Sequence, residues 1–370
     1  MAPFDDKENQ PLRFGTSGPD KSTNTGGLKR RAEALEWAPR KKATTGDPLQ
    51  HHGRHFGRAV YAFANVPALV SNGLASNEDN PPETAQDRRE GRIYLKLLKM
   101  VPDLEERLAK SPPEEVLRMC NLIQKGASSG RADDTKSMKG PIVDWISPRD
   151  GEPLRPTIHR NSKLDRGFNH PRTGALLCPT SLDWSDPAVQ QQLRNKEIIT
   201  LGEDWPLFLY QDEKFDPEEP WRGLLRNRIL VLAFKHVFTS PSSTDDNPRA
   251  TRSGNAKLHG MTRVTPASIA YIATQVRFAL SDKGTFCRSD KETDSETFYQ
   301  TLLELMEDPK EEEEVKKLLA WWNRTIFPAA SNGVRIAPKN SALSMIKAKR
   351  AKLEAAQAAA AAAELGGPPA

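Results

Sequence analysis

From Leu224 to Phe238 the chain is apolar almost all the way round a helix: Leu224, Leu225, Ile229, Leu230, Val231, Leu232, Phe234, Val237 and Phe238 leave no polar face. A helix without a wet side must be wrapped by other elements, so the rest of the chain has to offer it apolar stripes. The residues that follow do so. Thr265 and Pro266 read as N-cap and first helical position ahead of Ile269, Ile272, Ala273, Val276 and Leu280. Thr293 and Glu296 make a capping box before Phe298, Leu302, Leu305 and Met306. Asp308, Pro309 and Glu311 repeat the start signal before Val315, Leu318, Leu319, Trp322 and Ile326, with the acids Glu311 to Glu314 in the first turn, where the helix dipole favours them.

The first half carries the same period more sparsely. Val60, Phe63, Ala64, Val66, Leu69 and Val70 around Pro67 predict one kinked helix or two short ones, and Ile93, Leu97, Leu98 and Val116, Leu117, Met119, Cys120, Ile123 predict two more. Between Ser147 and Asp183 the pattern is broken by prolines 148, 153, 156, 171 and 179 and glycines 151, 167 and 174, which predicts a long loop, a common place for function. Ile198–Leu201 and Leu207–Tyr210 could pair as one small β-hairpin, and nothing alternates with helices as a parallel sheet requires. The fold class is therefore mainly α: an irregular multi-helix domain with a long ordered loop and at most one hairpin. Residues 51–330 read as a single helical domain, or as two lobes, 51–146 and 183–330, joined by the 147–182 loop.

Residues 1–50 have almost no periodic apolar positions and read as a disordered basic tail, and residues 331–370 as a linker with a basic, alanine-rich helix or tail. The net charge of +5 belongs to these ends. Residues 1–50 carry nine basic and seven acidic side chains and residues 334–370 six and two, which leaves the middle near neutral. That argues against a polycationic coating protein. Cys120, Cys178 and Cys287 are odd in number, far apart and without zinc-type spacing, so neither a disulfide framework nor a structural metal is expected. No stretch approaches the roughly 18 apolar residues of a membrane span, and no secretory signal opens the chain.

Several stretches are more specific than composition: Asp165–Pro179, Phe238–Ser243, Arg252–Ala256 with His259–Thr262, Leu122–Ala127 and Trp321–Asn323. They resemble a fungal family of uncharacterised proteins, a domain of unknown function, over most of residues 52–328. The resemblance implies a shared fold and carries no activity.

Two basic segments are the candidate binding surfaces. Asn247 to Ser281 holds no acidic residue over 35 positions, and Arg249, Arg252, Ser253, Lys257 and Arg263 precede the helix start at Pro266, where free N–H groups favour an anion. In the long loop, Arg155, His159, Arg160, Lys163, Arg166, His170 and Arg172 face Asp165 alone. Together they would make a positive face for a phosphate backbone, with Phe168 placed to stack on a base. The competing structural account is that the arginines bond irregular backbone or pair with the acidic helices.

The weaker candidates for chemistry are His159, Asp165 and His170 as metal ligands and His170 with Cys178 as a nucleophile pair, neither at a standard spacing. Gly126–Arg131 lacks the phosphate-loop pattern, and no cofactor is expected. Lys29, Arg30, Arg31 followed by Arg40, Lys41, Lys42 has the form of a two-part nuclear import signal and Lys349–Lys352 of a one-part signal, while Asp6–Pro11 resembles a KEN-type degron. The expectation is a non-catalytic nuclear binding or adaptor protein, otherwise cytoplasmic, that contacts nucleic acid or another polyanion through 155–172 and 249–263, with an import receptor as a further partner. The alternatives are a metal- or Cys-dependent enzyme centred on 159–178, and a protein–protein scaffold. Oligomeric state has no sequence signal.

Overall fold

The computed structural model describes residues 47–76, 84–148, 152–240, 254–288 and 294–328, with 345–346, 348–350 and 352–353. The helices are α1 (Pro48–Ala59), α2 (Val66–Ala75), α3 (Ala85–Met100), α4 (Leu104–Lys110), α5 (Pro113–Met138), α6 (Pro141–Ile146), α7 (Pro171–Leu177), α8 (Pro187–Arg194), α9 (Arg228–Phe234), α10 (Asn255–Leu258), α11 (Pro266–Leu280), α12 (Ser295–Glu307) and α13 (Glu312–Ile326).

One local device recurs: a capping side chain followed by proline. Asp47 with Pro48, Asn65 with Pro67, His170 with Pro171, Asp186 with Pro187 and Thr265 with Pro266 open α1, α2, α7, α8 and α11, each cap accepting from an N–H of the first turn. Proline donates no N–H where none is needed and presets φ, and the cap satisfies a donor that would otherwise be orphaned. Asp308 and Pro309 open a 3-10 turn, Pro309–Glu311, that leads into α13.

The helix at the centre is α11. Every residue from Ala267 to Val276 and from Phe278 to Leu280 is buried, and α1, α5, α6, α7, α9 and α12 pack around it. This corrects the expectation for Leu224–Phe238. Helix α9 covers only Arg228–Phe234 and continues as a π turn, Lys235–Thr239, while Leu224 and Leu225 lie before it in an irregular turn. Leu225 has φ 56°, a strained value for a side chain of this kind, and its carbonyl accepts from the Nε1 of buried Trp322 at 3.0 Å. The hairpin is not formed. Residues 207–209 make a 3-10 turn, and among the described residues the only β contacts are isolated bridges, Pro179 with Pro206 and Tyr210 with Leu224. At α12 the cap is Asp294 in a left-handed conformation; Thr293 lies outside the described residues, and Glu296 pairs with Arg288 at 2.5 Å and 2.7 Å.

Two apolar clusters result. The smaller joins α1 to α5 through Phe56, Val66, Leu97, Leu104 and Ile123; the larger surrounds α11 with Phe208, Phe234, Phe238, Tyr299 and Trp322. Helices α1 and α5 cross glycine on glycine. A Cβ on Gly53 would collide with the Ile123 carbonyl, and one on Gly126 with the Gln50 carbonyl, so Leu122–Ala127 is a helix-crossing segment. That approach buries an ion pair. Arg58 donates from Nε and Nη2 to Asp134 at 2.7 Å each, and Tyr271 Oη donates to the same carboxylate at 2.6 Å. Burial works against the Arg58 charge, and Asp134 more than offsets it, so the guanidinium ends with a raised pKa.

Candidate functional site

Loop 152–170 turns two of its cations, Lys163 and Arg166, inward to the end of α11. Lys163 Nζ donates to the carbonyls of Phe278 at 2.5 Å and Lys283 at 2.6 Å and lies 3.4 Å from the Phe278 ring centroid. Arg166, 1% exposed, donates to Ala279 O at 2.8 Å and Lys139 O at 2.7 Å. The last carbonyls of a helix have no intrahelical donors and carry the negative end of its dipole, so two buried cations there act as a clamp. Burial pulls Lys163 down to about 7 and Arg166 to about 10. Arg172 is engaged as well, donating to both Glu213 oxygens at 2.6 Å and to Ile146 O at 3.0 Å. Arg160 is exposed and pairs with Asp144. The basic residues of this segment therefore divide: Lys163 and Arg166 are buried and Arg172 holds Glu213, while Arg155 and Arg160 are exposed beside Glu152 and Asp144.

Of the candidates for catalysis, His170 has a structural task. His170 caps α7 through Nδ1, which accepts from Arg172 N at 3.0 Å, and this leaves Nε2 to donate to Pro156 O at 2.6 Å. Cys178 is fully buried, and burial pushes its thiol up to about 11, away from the thiolate a nucleophile needs. His159 and Asp165 are exposed, and His159 Nδ1 accepts from Asn161 N. No group of three or more His, Cys, Asp or Glu able to hold a metal occurs among the described residues.

Of the acid-free window, Arg249, Arg252 and Ser253 lie outside the described residues, as do Lys29, Arg30, Arg31, Arg40, Lys41, Lys42 and Asp6–Pro11. Lys257 and Arg263 are exposed, whereas Arg277 sits near the far end of α11, donating to Leu201 O and lying 4.7 Å from the Phe298 ring centroid. The start of α11 differs from the expected amide cradle. Thr265 N donates to Ser268 Oγ, Ser268 N to Thr265 Oγ1, and Pro266 has no N–H, so the capping box occupies these donors.

Side chains rather than amides make the site. Beside this helix start a groove of about 450 Å³ is lined by His55 of α1, Lys96 and Lys99 of α3, His259 and Arg263 ahead of α11, and a single acid, Glu307. Its floor is a histidine cluster. His55 and His259 stack at 4.4 Å between centroids with an interplanar angle of 5°, and His51 and His52 approach His259 edge-on at 5.5 Å and 6.1 Å. Burial, then the neighbouring imidazoles and Arg58, push His55 down to about 3 and His259 to about 4. His55 and His259 are uncharged near neutrality, and the lysines and arginine of the lining are Lys96, Lys99 and Arg263. Lys96, Lys99, His51, His52 and His55 were absent from the expected site. The signal was present: three of the seven histidines fall within five positions, and His51 and His55 share a helix face.

Among the described residues the body is all-α and without a sheet, and a groove with a cationic lining lies at one end of its buried central helix. Residues 125–327 match the model of a family of unknown function, DUF6698, and the chain belongs to that family. No curated protein and no solved structure matches it. The groove straddles the matched span, which holds His259, Arg263 and Glu307; α1 and α3 come before it.

Proposed function

We propose that this chain is a non-catalytic nuclear binding protein whose groove between α1, α3 and the start of α11 takes a polyanion, nucleic acid foremost. The observation that carries the reading is the exposed triad Lys96, Lys99 and Arg263 over the paired His55 and His259, with Glu307 the one opposing charge in the lining. Lys257, exposed two residues before His259, extends the positive rim. Of the segments expected from sequence, this reading keeps Lys257 and Arg263 from 249–263 and uses α3 in place of 155–172. Nuclear entry rests on the basic triplets at 29–31 and 40–42 and on Lys349, Arg350 and Lys352, which are exposed in short helical pieces. No helix among the described residues is long and apolar enough to cross a membrane.

The test is titration of duplex and single-stranded DNA and of RNA over a salt series. Three phosphate contacts predict a slope of log K against log salt of about −3 on duplex and about −2 on single strands. Lys99→Ala or Arg263→Ala should each weaken binding and reduce the slope by about 1. Affinity that ignores salt, or that survives both substitutions together, refutes the reading.

A further inference from the structure

We propose that a second pocket, at the opposite end of α11, binds a small carboxylate whose apolar body is about the size of a benzene ring. It lies between the turn at 167–169, the end of α8, residues 198–204 and the turn after α11, and its floor is Phe168, Leu177, Leu193, Ile198 and Phe278. Its volume of about 140 Å³ is close to the ~150 Å³ of an engineered apolar cavity that stays dry and accepts benzene. Apolar surface dominates the lining, so the body of the ligand is apolar.

The mouth selects the charge. Arg194 is exposed there, makes only long hydrogen bonds, to Phe168 O at 3.5 Å and Gln191 Oε1 at 3.4 Å, and has no ion pair among the described residues. Lys196, Arg277 and Lys283 also line the pocket, against Asp204 and Asp282. The Asp204 carboxylate already accepts from Leu201 N at 2.7 Å. A ligand carboxylate would therefore enter a field with an excess of cations and meet a planar guanidinium that can hold both its oxygens. An amine would be repelled. Lys163 and Arg166 add rigidity, because their bonds to the carbonyls of Phe278, Ala279 and Lys283 brace the wall from behind.

Calorimetric titration of the full chain with 3-phenylpropionate and its amide tests the proposal independently of the polyanion groove. The acid should bind with a dissociation constant below about 1 mM and the amide at least ~10-fold more weakly. Arg194→Glu and, separately, Ile199→Asp at the exposed rim should each weaken the acid at least ~10-fold. Lys99→Glu, in the other groove, should leave it unchanged. Circular dichroism confirms that each variant is folded, and Arg194→Gln serves where charge reversal disturbs α8. No heat by about 10 mM acid, equal affinity for acid and amide, or equal loss in the Arg194 and Lys99 variants overturns the proposal.

Discussion

Replacing His55 with phenylalanine should flatten the acid limb of the protein's stability. His55 is 6% exposed, and its Nδ1 is buried without a hydrogen-bond partner. Burial sets its folded pKa at about 3, against 6.5 in the unfolded chain. Between those values the unfolded chain holds the extra proton, so this histidine's contribution is complete above pH 6.5 and is lost as pH falls. Linkage for a single site gives a loss of about 2 kcal/mol between pH 7 and pH 5. Phenylalanine keeps a ring against His259, removes the titration and removes the orphaned nitrogen, whose burial costs about 1–3 kcal/mol. Urea unfolding at pH 7 and pH 5 reads both effects. His55→Phe should be at least as stable as the parent at pH 7, and its loss on acidification should be smaller by about 2 kcal/mol. An unchanged acid loss would show that His55 is not the group that titrates, and the account of the cluster would fall with it.

Four further outcomes follow from burial and packing. Asp134→Ala leaves the Arg58 charge buried and unpaired and should cost about 3–5 kcal/mol in urea unfolding, while Arg58→Met with Asp134→Leu should restore most of it. Gly126→Ala gains up to about 1 kcal/mol of helix propensity but drives a methyl into the Gln50 carbonyl, which no rotamer can relieve, so a net loss of about 1–3 kcal/mol is expected in thermal melts. Gly91→Ala, on α3 with nothing near the added methyl, should gain about 1 kcal/mol. An aromatic disulfide reagent should label half-buried Cys287 first and reach Cys120 and Cys178 only in denaturant, because burial holds both thiols at about 11. Fast native labelling of Cys178 would revive it as a nucleophile.

The helices were legible wherever cap, proline and apolar period agreed, as at Thr265–Pro266 and Asp308–Pro309. The same device at His170–Pro171 lies in a stretch whose prolines and glycines read as loop breakers. Histidine is an uncommon cap, and the seven residues of α7 are too few to show a period. The centre was misplaced for a related reason. Ser268, Tyr271, Thr274 and Gln275 make α11 look one-sided, although three of the four are satisfied inside the protein: Ser268 in its capping box, Thr274 on Ala270 O, Tyr271 on Asp134. Only Gln275 is buried with both amide atoms unpartnered. Burial follows satisfaction of polar groups as well as their number, and satisfaction is a property of the fold.

The two basic segments teach the same lesson with charge. Both were grouped by nearness in sequence, yet the fold sorts them by the ends of α11. At its C-terminal end the buried last carbonyls need donors, and Lys163 and Arg166, far behind in sequence, supply them from within the protein. At its N-terminal end the groups to satisfy are N–H donors, which a guanidinium cannot accept from; Thr265 and Ser268 take them up, and Arg263 stays exposed beside Lys96 and Lys99. An arginine that the backbone does not need is the one left for a ligand. On that criterion the groove beside Arg263 has a stronger claim to an external anion than the more densely charged loop at 155–172.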